Sequence, residues 1–172
     1  MGDDRGMAKG PTMLDGGETA QAATTLREEV GEALERLSRM LLERTAGRGV
    51  DGAGRTDDPE TERLKQAVSF LGQVAAGWSQ VPEVAIPAEG AGFGSTVVVQ
   101  DVEGGQEETY TLMTGALLDI DAGQVSLGSP IGQALLGARA GDVVTVSTPQ
   151  RTRRLRVLSV LTLRDRLERE VP

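Results

Sequence analysis

The sequence predicts an α+β protein: an N-terminal antiparallel coiled-coil helical hairpin followed by a small antiparallel sheet domain with one helix. Three observations carry this. Apolar residues recur at helical spacing over two stretches of the first half. Beyond residue 92 the period drops to two, and glycine or proline turns punctuate the chain at short intervals. The order β-β-β-α-β-β read there is that of a single helix packed on a sheet.

The first helical stretch runs from about Thr24 to Met40, with apolar positions Leu26, Val30, Ala33, Leu37 and Met40, broadened by Leu34 and Leu41. This alternating spacing of four and three is a heptad-type seam. Thr25 and Glu28 fit a capping box at its start. The glycines of GRGVDGAG are expected to end it near Gly47. A second seam follows at Leu64, Ala67, Leu71, Val74 and Trp78, with Val68 and Ala75 alongside. Neither helix has enough apolar face to stand alone, so the two are expected to pair as an arm. Trp78 extends the second seam to where the arm meets the next domain. The expected divisions are a polar flexible tail (1–17), the hairpin (18–80), a proline- and glycine-bearing linker (81–92), the sheet domain (93–162) and a charged helical extension (163–172).

In the second half, STVVVQDV and EETYTLM flank the turn EGGQ, a hairpin signal, and QVSL adds a short strand. SPIGQALLG reads as a helix with Ser129 as N-cap, Pro130 at the first helical position and Gly137 as the stop. GDVVTVSTP and TRRLRVLSVLTL form a second hairpin around Pro149.

Composition removes whole classes of chemistry. The chain of 172 residues has no cysteine and no histidine, which excludes thiol nucleophiles, disulfides, histidine-ligated zinc and Ser-His-Asp triads. Two Phe, one Tyr and one Trp leave little for an aromatic-lined pocket or a base-stacking platform. A net charge of -8 argues against a nonspecific nucleic-acid coat. No apolar run approaches the ~20 residues of a membrane span, and the N-terminus lacks a signal-peptide core, so a cytoplasmic protein with no membrane partner is the expectation. EGAGFGST has glycines but neither the lysine nor the following helix of a phosphate loop.

Two clusters of charge stand out. RTDDPETERL holds Asp57, Asp58 and Glu60 around Pro59. Asp58 as N-cap, Pro59 at the first helical position and acids facing the helix dipole account for all three without a metal. A hard cation would use the same carboxylates, provided phosphates and water completed its shell. Both readings stand at this point. Asp51 is a further loop acid. The second cluster is Arg151, Arg153, Arg154 and Arg156, split by strand alternation into Arg154 with Arg156 on one face and Arg151 with Arg153 on the other. It fits either an acidic or nucleic-acid partner or a solvated sheet face.

FGSTVVVQDVEGGQEETYTL and SPIGQALLGARAGDVVTVSTPQRTRRLRVLSV resemble the C-terminal domain of the bacterial Gre transcript-cleavage factors, GreA and GreB. The motifs lie in the family's order between about Phe93 and Val160, while the N-terminal half matches in architecture. The resemblance implies an FKBP-like fold for the sheet domain. It also implies that the arm enters the secondary channel of RNA polymerase, stimulating cleavage of backtracked RNA. The chain would then be no enzyme and have no cofactor of its own: an acidic tip of Asp57, Asp58 and Glu60 would assist the Mg²⁺ of the polymerase. Ser129, Pro130 and Ile131 would grip the polymerase rim. A monomer with access to nascent RNA is implied as well. The family tip reads Asp-x-x-Glu followed by Asn-Ala-Glu-Tyr, and Thr61-Glu62-Arg63-Leu64 keeps none of the second part. The loop from Gly47 to Thr56 is longer than the family's, and the second helix is shorter by about two turns at ~1.5 Å per residue. These departures suit a channel-binding regulator or inhibitor that does not stimulate cleavage. A prolyl isomerase, suggested by the fold, would need more aromatic lining than Phe93 and Tyr110 supply. A coiled-coil interaction module with another partner is the remaining class.

Overall fold

The computed structural model describes residues 16–46, 58–82, 85–87, 89–115 and 118–170. Helix α1 (Gly16–Ala46) and helix α2 (Pro59–Gly77) pack side by side through the two seams. Leu26, Val30, Ala33 and Leu37 of α1 are buried, as are Leu64, Ala67, Leu71 and Val74 of α2. Complete burial of a Leu such as Leu37 or Leu71 contributes about 1.5–3 kcal/mol, which is how two marginal helices become a stable pair.

The start of α1 corrects the sequence reading. Thr25 does not cap the helix, because the helix begins nine residues earlier, at Gly16. The alanines and glutamine of TAQAATT favour helix, and the two threonines are satisfied within it. Thr24 Oγ1 donates to the carbonyl of Ala20 and Thr25 Oγ1 to that of Gln21, each at 3.0 Å. A hydroxyl that bonds back to the preceding turn has no need to end the helix.

Five strands form one sheet in the order β3-β2-β1-β5-β4. They are β1 (Thr96–Asp101), β2 (Glu107–Met113), β3 (Gln124–Ser126), β4 (Val143–Ser147) and β5 (Thr152–Leu161). β1 is antiparallel to β2 and to β5, with a bulge at Val98/Val99, and β4 is antiparallel to β5. β3 departs from the expected antiparallel sheet: it runs parallel to β2, with Thr111 opposite Gln124 and Met113 opposite Ser126. The chain leaves the end of β2 and returns to its middle, so the connection is no hairpin. Gly123 makes the return fit, since its φ is +76° and a Cβ there would lie 2.7 Å from the carbonyl oxygen of Thr109. The sheet is therefore mixed.

Helix α3 (Pro130–Leu135) packs against β3 and β4 and buries Leu135 in the same core that holds Val97, Val99, Leu112, Val146, Leu155 and Val157. Within the stretch expected as a linker (81–92), the described residues Ala85 and Ala91 hydrogen-bond to this domain. The amide of Phe93 donates to Ala85 O (2.8 Å), that of Ala91 to Ala138 O (2.8 Å) and that of Gly137 to Ala91 O (2.7 Å). Ala85 and Ala91 are buried. Helix α4 (Leu163–Glu170) begins where Thr162 and Asp165 exchange hydrogen bonds through amide, hydroxyl and carboxylate, and it buries Leu163 and Leu167.

The arm and the sheet domain meet at the end of α2. Trp78 stands edge-on to Phe93 with ring centroids 5.6 Å apart. Thr114 Oγ1 donates to Gly77 O at 2.9 Å, and Gln124 Nε2 donates to Gln73 Oε1 at 2.7 Å. Trp78 thus has the packing role expected for it. No helix among the described residues is long and apolar enough to cross a membrane.

Candidate functional site: the arm end and the start of helix α3

The acidic knot opens α2. Asp58 is its N-cap, with Oδ1 accepting from the amides of Glu60 (3.1 Å) and Thr61 (2.8 Å). Oδ2 accepts from the hydroxyl of buried Thr61 at 2.7 Å. The cap fixes where this carboxylate sits, at the end of α2 remote from the sheet domain. With 19 residues in α2, that is about 28 Å from the junction at Gly77.

Glu60, the second residue of α2, is exposed, but it has a partner across the hairpin. Arg44 Nη2, in the last turn of α1, donates to Glu60 Oε2 at 2.6 Å. That hydrogen bond, helped by the charge of Arg44, holds the Glu60 carboxyl below its ordinary range. Asp57 and Asp51 lie outside the described residues. Among the described residues no group of three or more carboxylates could hold a metal ion. Asp58 and Glu60 could lend ligands to a cation carried by another macromolecule, and each already serves another purpose in the chain.

At the other candidate surface, Ser129 caps α3 as predicted. Its hydroxyl accepts from the Gly132 amide (3.1 Å) and donates to Ser126 O (2.7 Å). Pro130 is exposed, while Ser129 and Ile131 are half-buried, so the helix start presents a proline ring beside a partly sheltered isoleucine. Gly132 seats this turn directly on the β3 backbone: a Cβ would lie 2.0 Å from Ser126 O.

The arginine cluster divides as alternation predicts. Arg154 and Arg156 are exposed. Arg153 is drawn into a network, with Nε donating to Asp101 Oδ2 (3.0 Å) and Nη2 to Glu108 Oε2 (2.8 Å). Tyr110 donates its hydroxyl to Glu108 at 2.7 Å, and Arg151 reaches Asp101 at 3.4 Å. Asp101 Oδ1 also accepts from the amides of Gly104 and Glu103 at the β1–β2 turn. These amides first, then Arg153, hold the Asp101 carboxyl at about 2. Burial pushes Glu108 up, but its bonds from Tyr110 and Arg153 outweigh that and leave it low. This network ties a turn to β5 and accounts for Arg151 and Arg153 as structural groups.

Asp101 and Arg44 were not singled out by the sequence reading. Register could have found both: Asp101 begins the EGGQ turn opposite an arginine-rich strand, and Arg44 is the cation of the last α1 turn facing an acidic α2 start.

Together these features define a class: a paired-helix arm, capped by carboxylates at its far end, carried on a small mixed-sheet domain. Residues 86–162 match the family model for the C-terminal domain of transcription elongation factors GreA/GreB. The chain is 34% identical over 112 residues to transcription elongation factor GreA of Streptococcus gordonii, covering 61% of this chain and 70% of that protein. It is 41% identical over 112 residues to transcription elongation factor GreA of Streptococcus sanguinis, with the same coverage. Among solved structures, that of the transcription factor Gfh1 is similar at 25% identity and a TM-score of 0.39, covering 87% of this chain and 94% of that chain. The chain belongs to the GreA/GreB family of transcription elongation factors. These relatives are named as elongation factors and not as enzymes.

Proposed function

We propose that this protein binds RNA polymerase, inserts its helical arm into the secondary channel and stimulates cleavage of backtracked RNA. The observation that carries the reading is the capped carboxylate of Asp58 at the remote end of the arm. A carboxylate so placed, with Asp57 beside it in sequence, would assist the Mg²⁺ of the polymerase, which supplies the cleaving centre. The chain would bring no cofactor of its own. Ser129, Pro130 and Ile131 would meet the channel rim, with the sheet domain as anchor.

A second reading, occupancy of the channel without cleavage, is favoured by a specific observation. Glu60 is engaged by Arg44, and Asp58 by two amides and a hydroxyl, so neither is free of intramolecular partners. A stalled-complex assay separates the two. Added protein shortens the backtracked transcript under the first reading and slows elongation without shortening it under the second. Failure to co-purify with RNA polymerase would overturn both and leave an interaction module with another partner.

A further inference from the structure

We infer that α4 is a clasp that fixes the arm on the sheet domain, with Arg166 as its positioning residue. The proposal goes beyond the polymerase reading and stands whether or not that reading holds. The family match ends at residue 162, and α4 begins at the next residue. The clasp is thus built from chain outside the matched domain.

Its placement is what makes it a clasp. α4 leaves the end of β5 and lies along the hairpin. Arg164 Nη2 is 3.9 Å from Glu29 Oε2 of α1, while Arg169, further along α4, shares a groove with Leu37 and Met40 of α1 and with Arg63 and Leu64 of α2. α4 therefore runs in the same direction as α1, and this part of the arm is three helices thick. Leu163 is buried beside Gly94 of the sheet domain, and Leu167 is buried in a groove with Ala33 of α1.

Arg166 joins three elements. Its guanidinium lies 4.2 Å from the ring centroid of Phe70 on α2, and Nη2 donates to Thr96 Oγ1 of β1 at 2.7 Å. Thr96 Oγ1 is itself 3.0 Å from Thr111 Oγ1 of β2. A half-buried cation held on an aromatic face and by a hydroxyl of another domain has little freedom to move. Two domains joined by a small contact are expected to move relative to one another, and α4 supplies the additional apolar and cationic contact that opposes this.

The test uses the absence of cysteine. Spin labels at Arg39→Cys, exposed on α1, and Thr109→Cys, exposed on β2, report the arm-to-domain distance in the full chain. The proposal expects one narrow distribution. Arg166→Met keeps the apolar stem and removes the cation, and the width should grow roughly twofold as the domains loosen. Arg166→Lys, which restores a cation over the Phe70 ring, should narrow it again. Leu167→Asp places a charge in the seam and should widen it at least as much, with an unchanged circular dichroism spectrum for the sheet. A distribution that stays narrow in both Arg166→Met and Leu167→Asp would overturn the clasp. Equal widths for Arg166→Met and Arg166→Lys would remove Arg166 from the positioning role.

Discussion

Arg44 and Glu60 close the hairpin: a guanidinium in the last turn of α1 meets, at 2.6 Å, a carboxylate in the first turn of α2. The pair bridges the two helices at the arm end and ties up one of the acids that family resemblance would assign to the tip. Arg44→Ala should bring the Glu60 carboxyl back up toward its ordinary range, measured by NMR titration of its side-chain carbons. The pair is exposed, so the melting temperature should scarcely move. In the transcript-cleavage assay, a gain on Arg44→Ala would show that the pair restrains the tip.

Cap and tip make different demands of Asp58. Asp58→Asn keeps an acceptor for the amides of Glu60 and Thr61 and should preserve helix content, whereas Asp58→Ala should cost about 1 kcal/mol (range about 0.5–2) in denaturant titration. Cleavage that survives Asp58→Ala but fails in Asp57→Asn would assign the chemistry to Asp57. Loss of cleavage in Asp58→Asn, with stability unchanged, would assign it to Asp58.

Asp101 should govern the acid limit of the sheet domain. Its folded carboxyl sits at about 2, below the ~3.9 of an unfolded chain, so its contribution is full above pH ~4 and is lost as pH falls toward 2. Melting temperature measured across that window should fall in the natural protein. Asp101→Asn, which leaves an acceptor for the Glu103 and Gly104 amides but no charge for Arg153, should melt lower at neutral pH and lose part of this acid slope.

Gly132→Ala tests how the start of α3 is held. The added methyl would overlap Ser126 O, so backbone must move, at a cost of about 1–3 kcal/mol by thermal melting. Under the proposed function the shifted Ser129-Pro130-Ile131 turn should also bind RNA polymerase more weakly. Unchanged affinity in the folded variant would place the rim contact elsewhere.

The seams, the strand sequence and both helix caps at Asp58 and Ser129 were legible because each has a local cause: a period, a capping side chain, or a proline at the first helical position. The start of α1 was not, since Thr25 supports a cap or an internal turn equally well until the preceding alanines decide. The direction of β3 depends on how the chain closes around Gly123, a close backbone approach that period-two patterning does not encode. The partners of Glu60, Arg153 and Arg166 are 16, 52 and 70 residues away in the chain, beyond the reach of any motif. The candidate site was therefore legible in its location and hidden in its electrostatics.

The strand order has a consequence for biosynthesis. β1 lies between β2, its near neighbour in sequence, and β5, the last strand made, with Val98 opposite Ser159. The hairpin can form as soon as α2 has been synthesised, but the sheet cannot close until translation has passed residue 161. During that interval β1 presents an unpaired edge with Val97 and Val99 exposed to the nascent-chain environment. The α1–α2 pair thus forms first, and the sheet and α4 are added to it late.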